Sequence, residues 1–166
     1  MQQLLDQDTI EFIQSGEVAL CLAASDARRM SSLTETFGCK VASDRATITT
    51  WLSRNGHESL LSNISNSGRL AMVACHVQSF RALQLKAFDA RVLPFDNDDY
   101  PLVLAYQQGF IRKTVSLGYP EAVMRVQKQF RVDQLVAVQF TPSSGFTQTP
   151  GPNAGAAMTL STAATS

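Results

Sequence analysis

The stretch from Arg69 to Phe88 limits the fold of this chain more than any other. Two apolar runs, residues 70–77 and 80–88, are separated by only Gln78 and Ser79. Runs this short, with so brief a break, read as neighbouring antiparallel strands. Arg81, Gln84 and Lys86 lie inside the second run. Polar and cationic side chains in a buried strand need partners, because an unpaired buried charge is costly. A ligand phosphate and a polar heteroaromatic ring would serve, and so would a neighbouring carboxylate, Asp89 or Glu58. Strand alternation puts Gln84 and Lys86 on one face and Arg81 on the other.

The rest of the chain repeats this grammar. Leu4, Leu5, Ile10 and Ile13 predict a helix over 2–15, with Asp8 or Thr9 as its N-cap and Gly16 as its stop. Strands follow over 17–24, 31–42 and 46–53, the last rich in β-branched residues and closed by Asn55-Gly56. A short helix over 57–66 precedes strands over 70–77 and 80–93, and Pro94 ends the latter. Pro101 opens a helix that Gly118 closes, and a second runs over 120–130 with Val123, Met124, Val126 and Phe130 as residues to bury. A last strand spans 132–140. Six short strands of this order predict a mainly β fold with peripheral helices, a small closed or partly open antiparallel barrel. The division is a domain over 1–142 and a Pro/Gly/Ala/Ser/Thr-rich tail over 143–166, read as a stiff linker to a loose end or as a cover for a ligand or subunit seam.

Composition narrows the function. The chain has 166 residues, 45% of them hydrophobic, enough for one domain with its own core. Lys plus Arg and Asp plus Glu number 14 each, so no basic excess points to nucleic acid. A single phosphate still needs only two or three local cations. Cys21, Cys39 and Cys75 lie far apart in apolar runs and read as reduced packing residues of a cytoplasmic protein. The amino terminus has no signal-peptide pattern, and no apolar run approaches membrane length. His57 and His76 are the only histidines, and no Cys/His spacing suits a metal. Neither a Gly-x-Ser-x-Gly elbow nor a Walker-type loop occurs.

Three features together resemble the split-barrel flavin-binding family typified by pyridoxamine 5'-phosphate oxidase. The first is the opening helix, Gly16 and the run Val18 to Ala23. The second is Thr47 to Arg54, the helix over 57–66, then Gly68 to Val73. The third is Arg81-Ala82-Leu83-Gln84-Leu85-Lys86-Ala87, similar to an Arg-x-x-Gln-x-x-Gly stretch of distant members. The likeness spans about residues 8 to 140. It implies a six-stranded antiparallel split β-barrel, a homodimer with flavin mononucleotide (FMN) at the interface, and an FMN-dependent oxidoreductase in which the flavin does the redox chemistry. It also implies that Ser53, Arg54, His57 and Ser59 hold the phosphate together with Arg81, Gln84 and Lys86, and that Thr34 and Thr36 reach the ring or ribityl chain.

Two departures bear on the substrate. The oxidase's Arg-Lys pair at the inserted helix is replaced by Ser59 and Leu60, and its closing Trp-x-Gly-x-Arg-Leu motif is absent. The expectation is therefore a flavin protein that does not oxidise pyridoxamine phosphate. Three alternatives stay open. One is a haem-binding relative with His57 or His76 as axial ligand. The others are a non-enzymatic flavin carrier and a dimeric structural protein that kept the fold and lost the cofactor. The turn from Ser53 to His57 reads equally as an anion site and as an ordinary loop. Trp51, Phe80 and Phe88 read as core or interface packing.

Overall fold

A computed structural model describes residues 3–162. In chain order the elements are β1 (Gln3–Leu4), α1 (Gln7–Gln14), β2 (Val18–Ser25), β3 (Ser31–Glu35), β4 (Cys39–Val41), β5 (Ile48–Ser53), α2 (Glu58–Ser67), β6 (Leu70–His76), β7 (Ala82–Ala87) and β8 (Arg91–Pro94). Then come α3 (Tyr100–Ser116), α4 (Glu121–Gln127), β9 (Leu135–Phe140), β10 (Ser144–Thr147) and β11 (Ser161–Thr162). One antiparallel sheet has the order β10-β7-β6-β2-β3 and the other β4-β5-β9-β8, while β1 pairs with β11.

The fold is mainly β with helices, as the sequence predicts, but the strand count is not six. Two of the expected strands are each divided between the sheets, and neither sheet closes on itself. The run over 31–42 splits at Thr36 and Phe37. The Thr36 N–H donates to the Leu20 carbonyl of the five-stranded sheet, and the next N–H, of Phe37, donates to Trp51 of the four-stranded sheet. Gly38 follows at φ 93°, where a Cβ would sit 2.8 Å from that of Tyr106. The run over 80–93 splits at Phe88-Asp89, and the Ala90 N–H then donates to the Gly68 carbonyl. Gly68 caps α2 in the left-handed region. The chain changes sheets at these two corners so that each apolar stripe reaches the common core.

The two sheets are covered unequally. In β5 and β9 nearly every residue is buried. One side of this sheet carries Ile48, Leu52, Val136, Val138 and Phe140 into the main core. The other packs Trp51, Leu135 and Ala137 against Val103 of α3. In β2 and β6 burial alternates. Val18, Leu20, Leu22, Leu70, Met72 and Leu85 face the core, joined by Leu60, Leu61 and Ile64 of α2. Their alternate neighbours carry small residues and stay half-buried, which leaves one face of the five-stranded sheet open.

Other expectations shift at the edges. Asp6, not Asp8 or Thr9, caps α1, accepting from the Thr9 N–H at 2.7 Å, because the chain before it is already tied to strand partners. Val123 and Val126 are 54% and 64% exposed, since α4 packs on α3 through Met124 and turns its other side outward. Phe80 and Phe88 are exposed, whereas Trp51 is fully buried. The Trp51 indole donates at 3.1 Å to the Asp99 carboxylate, which also pairs with Lys40. The segment after residue 142 adds β10 to the edge beside β7, and Met158 and Leu160 pack on the core.

Candidate functional site

The residues expected to bind a ligand fall into separate places. The first is the turn between β5 and α2. Ser53 ends β5, and Arg54 and Gly56 carry the chain to His57, the residue before the helix. The His57 side chain does not cap α2. Its Nε2 lies 3.0 Å from the buried Thr34 hydroxyl, which lies 3.2 Å from the Glu35 carbonyl. A carbonyl only accepts, so the Thr34 hydrogen goes to Glu35 and His57 Nε2–H is the donor to Thr34. Nδ1 of His57 then has no partner among the described residues. Glu58 turns its carboxylate back onto the Gly56 N–H at 3.1 Å. Its own N–H first, and then the Gly56 N–H, hold its pKa below the usual carboxylate range. A carboxylate of the chain itself therefore already occupies donors that an incoming phosphate would use. Arg54 and Ser59 are exposed beside it.

Thr36 stands apart. It is wholly buried, and its hydroxyl has no hydrogen-bond partner among the described residues. Arg81 is elsewhere again. Its guanidinium pairs with Asp8 and lies 4.3 Å from the centre of the Phe12 ring, on α1. The side opposite Gln84 and Lys86 is where alternation puts it.

Gln84 and Lys86 lie on the open face of the five-stranded sheet. Register aligns Gln84 with Val73, Cys21 and Glu35 across four strands, and Lys86 with Ala71, Ala23 and Leu33. The floor of this face is therefore small and apolar: Ala19, Cys21, Ala23, Ala71, Val73 and Cys75, all half-buried. The Gln84 amide is half-buried there and has no hydrogen-bond partner among the described residues. The Lys86 ammonium lies 4.8 Å from the Phe146 ring centre.

The far end of the face holds an ion pair that the sequence did not signal. Lys128 is 1% exposed, yet its ammonium lies 2.5 Å from the Glu35 carboxylate and 4.1 Å from the centre of the Phe110 ring. In sequence Lys128 lies near the end of the helix over 120–130 between Gln127 and Gln129, with no acid beside it to signal a partner. Only the fold of α4 against α3 buries it. Burial, more than the neighbouring Glu35, raises the pKa of the Cys21 thiol beside this pair.

The two histidines differ in what they can ligate. His76 Nδ1 accepts from the N–H groups of Gln78 and Ser79 at 3.3 and 3.0 Å, and Nε2 lies 3.1 Å from the Glu17 carboxylate. Both nitrogens are committed, with the proton on Nε2. Among the described residues no three His, Cys, Asp or Glu side chains gather as a metal site. No described helix is long and apolar enough to cross a membrane.

Two antiparallel sheets sharing one core, with helices at the seams and one sheet face left open, define the class. The chain has the pyridoxamine 5'-phosphate oxidase-like fold. HupZ of Group A Streptococcus is similar over 92% of this chain and 100% of its own, at 14% identity and a TM-score of 0.54. A Lactobacillus delbrueckii protein named after pyridoxamine 5'-phosphate oxidase matches over 88% of this chain and 99% of its own, at 17% identity and a TM-score of 0.52. An F420 reductase matches over 85% and 98%, at 9% identity and a TM-score of 0.54. No protein-family model and no curated protein matches the chain.

Proposed function

We propose that the chain binds flavin mononucleotide as a homodimer of split β-barrels and acts as a flavin-dependent oxidoreductase. One observation carries this reading: the half-buried, unpartnered Gln84 amide set in a flat floor of Ala, Cys and Val side chains. An amide offers one acceptor and two donors, which complement the alternating carbonyl and N–H groups of a flavin's pyrimidine edge. The floor takes the ring's apolar face, and Lys86 stands one alternation along β7 for its anionic end. A second copy over the open face would exclude water from the ring's other side.

When bound, the flavin supplies the electron chemistry, and the chain orients the ring and shields it. Shared fold with an F420 reductase and with a protein named after an oxidase lends support. Haem is the weaker reading. His76 has both nitrogens engaged, so an axial ligand would have to be His57 through Nδ1.

The test is the spectrum of the purified protein and an FMN titration. The two long-wavelength bands of oxidised flavin, or saturable quenching of FMN fluorescence, support the proposal, and a Soret band would replace it with haem. A colourless protein that takes up neither ligand refutes both and leaves a structural dimer. Gln84→Leu should weaken FMN by about 0.5–1.5 kcal/mol, the net worth of a hydrogen bond.

A further inference from the structure

The open face ends in a groove of about 280 Å³ whose lining includes Ala23, Ser25, Ser31, Arg69, Lys86 and Phe88. Ser25 and Ser31 are register partners on the open side of β2 and β3. Arg69 precedes β6 by one residue and shares its outward parity with Ala71, the partner of Lys86. Arg69 and Lys86 are thus diagonal neighbours, with backbones about 7–8 Å apart on one face. Both side chains line the same groove, which gives it a doubly cationic rim.

Among the described residues no carboxylate balances that rim. Neither Arg69 nor Lys86 forms an ion pair among the described residues; each rests over an aromatic ring, Phe88 at 5.1 Å and Phe146 at 4.8 Å. The nearest acids in sequence are engaged elsewhere. Asp26 accepts from the N–H groups of Arg28 and Met30, and Asp89 from that of Thr141. The groove therefore presents two cations and two hydroxyls above an alanine floor, beside the 60% exposed ring of Phe88.

We propose that this groove binds a phosphate monoester carried on an aromatic or apolar body. Arg69 and Lys86 clamp the phosphate, Ser25 and Ser31 donate to it, and Ala23, Ala71 and Phe88 hold the body. The site stands whether or not a flavin ring lies over Gln84. If one does, its phosphate falls here and not at the turn before α2, where Glu58 holds the donors.

Calorimetric titrations with phenyl phosphate, inorganic phosphate, FMN and riboflavin test it. Phenyl phosphate should bind more tightly than inorganic phosphate. Arg69→Gln and Lys86→Gln should each weaken it at least about tenfold, the low end for a charge-assisted hydrogen bond. Arg112→Ala, on α3, should change nothing. If FMN weakens in both variants while riboflavin does not, the clamp serves the flavin's phosphate. If phenyl phosphate binds and FMN does not, the groove serves another phosphorylated ligand and the flavin reading alone falls. The proposal is overturned if phenyl phosphate does not bind, or if both variants leave its affinity intact. It is overturned equally if they shift only self-association in sedimentation, which would mean that the cations meet acids of a second copy.

Discussion

The Lys128–Glu35 pair makes an asymmetric prediction. Lys128 is 1% exposed and Glu35 is 44% exposed, so the two substitutions that break the pair do different things. Glu35→Ala leaves an ammonium in the interior without its counter-charge. Such a loss costs about 3–5 kcal/mol in a fully buried pair. Here solvent screens Glu35, and the Phe110 ring 4.1 Å from the ammonium returns about 1 kcal/mol. The expectation is a loss of about 2–3 kcal/mol. Lys128→Met keeps most of the volume against Phe110 and Tyr106 and frees Glu35 to hydrate. Its expected change is within about 1 kcal/mol, and it can stabilise. The double variant should match Lys128→Met alone, giving a coupling of about 2 kcal/mol. Urea unfolding followed by far-UV circular dichroism and by the single tryptophan, Trp51, reads all four proteins. If Lys128→Met costs as much as Glu35→Ala, burial of the ammonium is not what sets the energetics, and the reasoning fails.

Three further outcomes follow from local geometry. Asp99→Ala leaves the fully buried Trp51 indole N–H without an acceptor and should cost about 1–3 kcal/mol, with Asp99→Asn costing less; thermal melts rank them. Gly38→Ala puts a side chain on a left-handed residue and into Tyr106, and should lower stability by about 2 kcal/mol or more in the same melts. The Asp6 carboxyl has its pKa held below its ordinary 3.8, first by the bond with Thr9. A depressed acid stabilises above its unfolded pKa and loses that contribution as pH falls through the folded value. Asp6→Ala should therefore cost about 1 kcal/mol at neutral pH, and the gap should close in urea titrations run well below the carboxylate range.

The apolar runs were legible because alternation and turn residues are local. From Leu70 to Ala87 the sequence places two antiparallel strands, as the register has them, and sets Gln84 and Lys86 opposite Arg81, which contacts Asp8 and Phe12 on the other side. The division of residues 31–42 was not legible. Nothing in Thr36-Phe37 says that one N–H will serve one sheet and the next another; Gly38 was the only signal. Val123 and Val126 misled because helical periodicity marks an apolar side without saying whether anything will cover it. The turn from Ser53 to His57 reads equally as an anion site and as an ordinary loop in sequence, and only the fold shows Glu58 turning back onto the Gly56 N–H. Arg69 carries no binding signal in sequence, because a cation before a strand is ordinary until its neighbours are known.

By itself the sequence determined a mainly β chain, its main helices and the parity of Gln84 and Lys86, since these follow from side-chain spacing along the backbone. Tertiary structure alone decided which sheet face lies open, that Lys128 is buried against Glu35, and that Arg69 and Lys86 line one groove with no ion pair to either among the described residues. Each depends on residues distant in sequence coming within a few ångströms, and burial and charge balance exist only once they do.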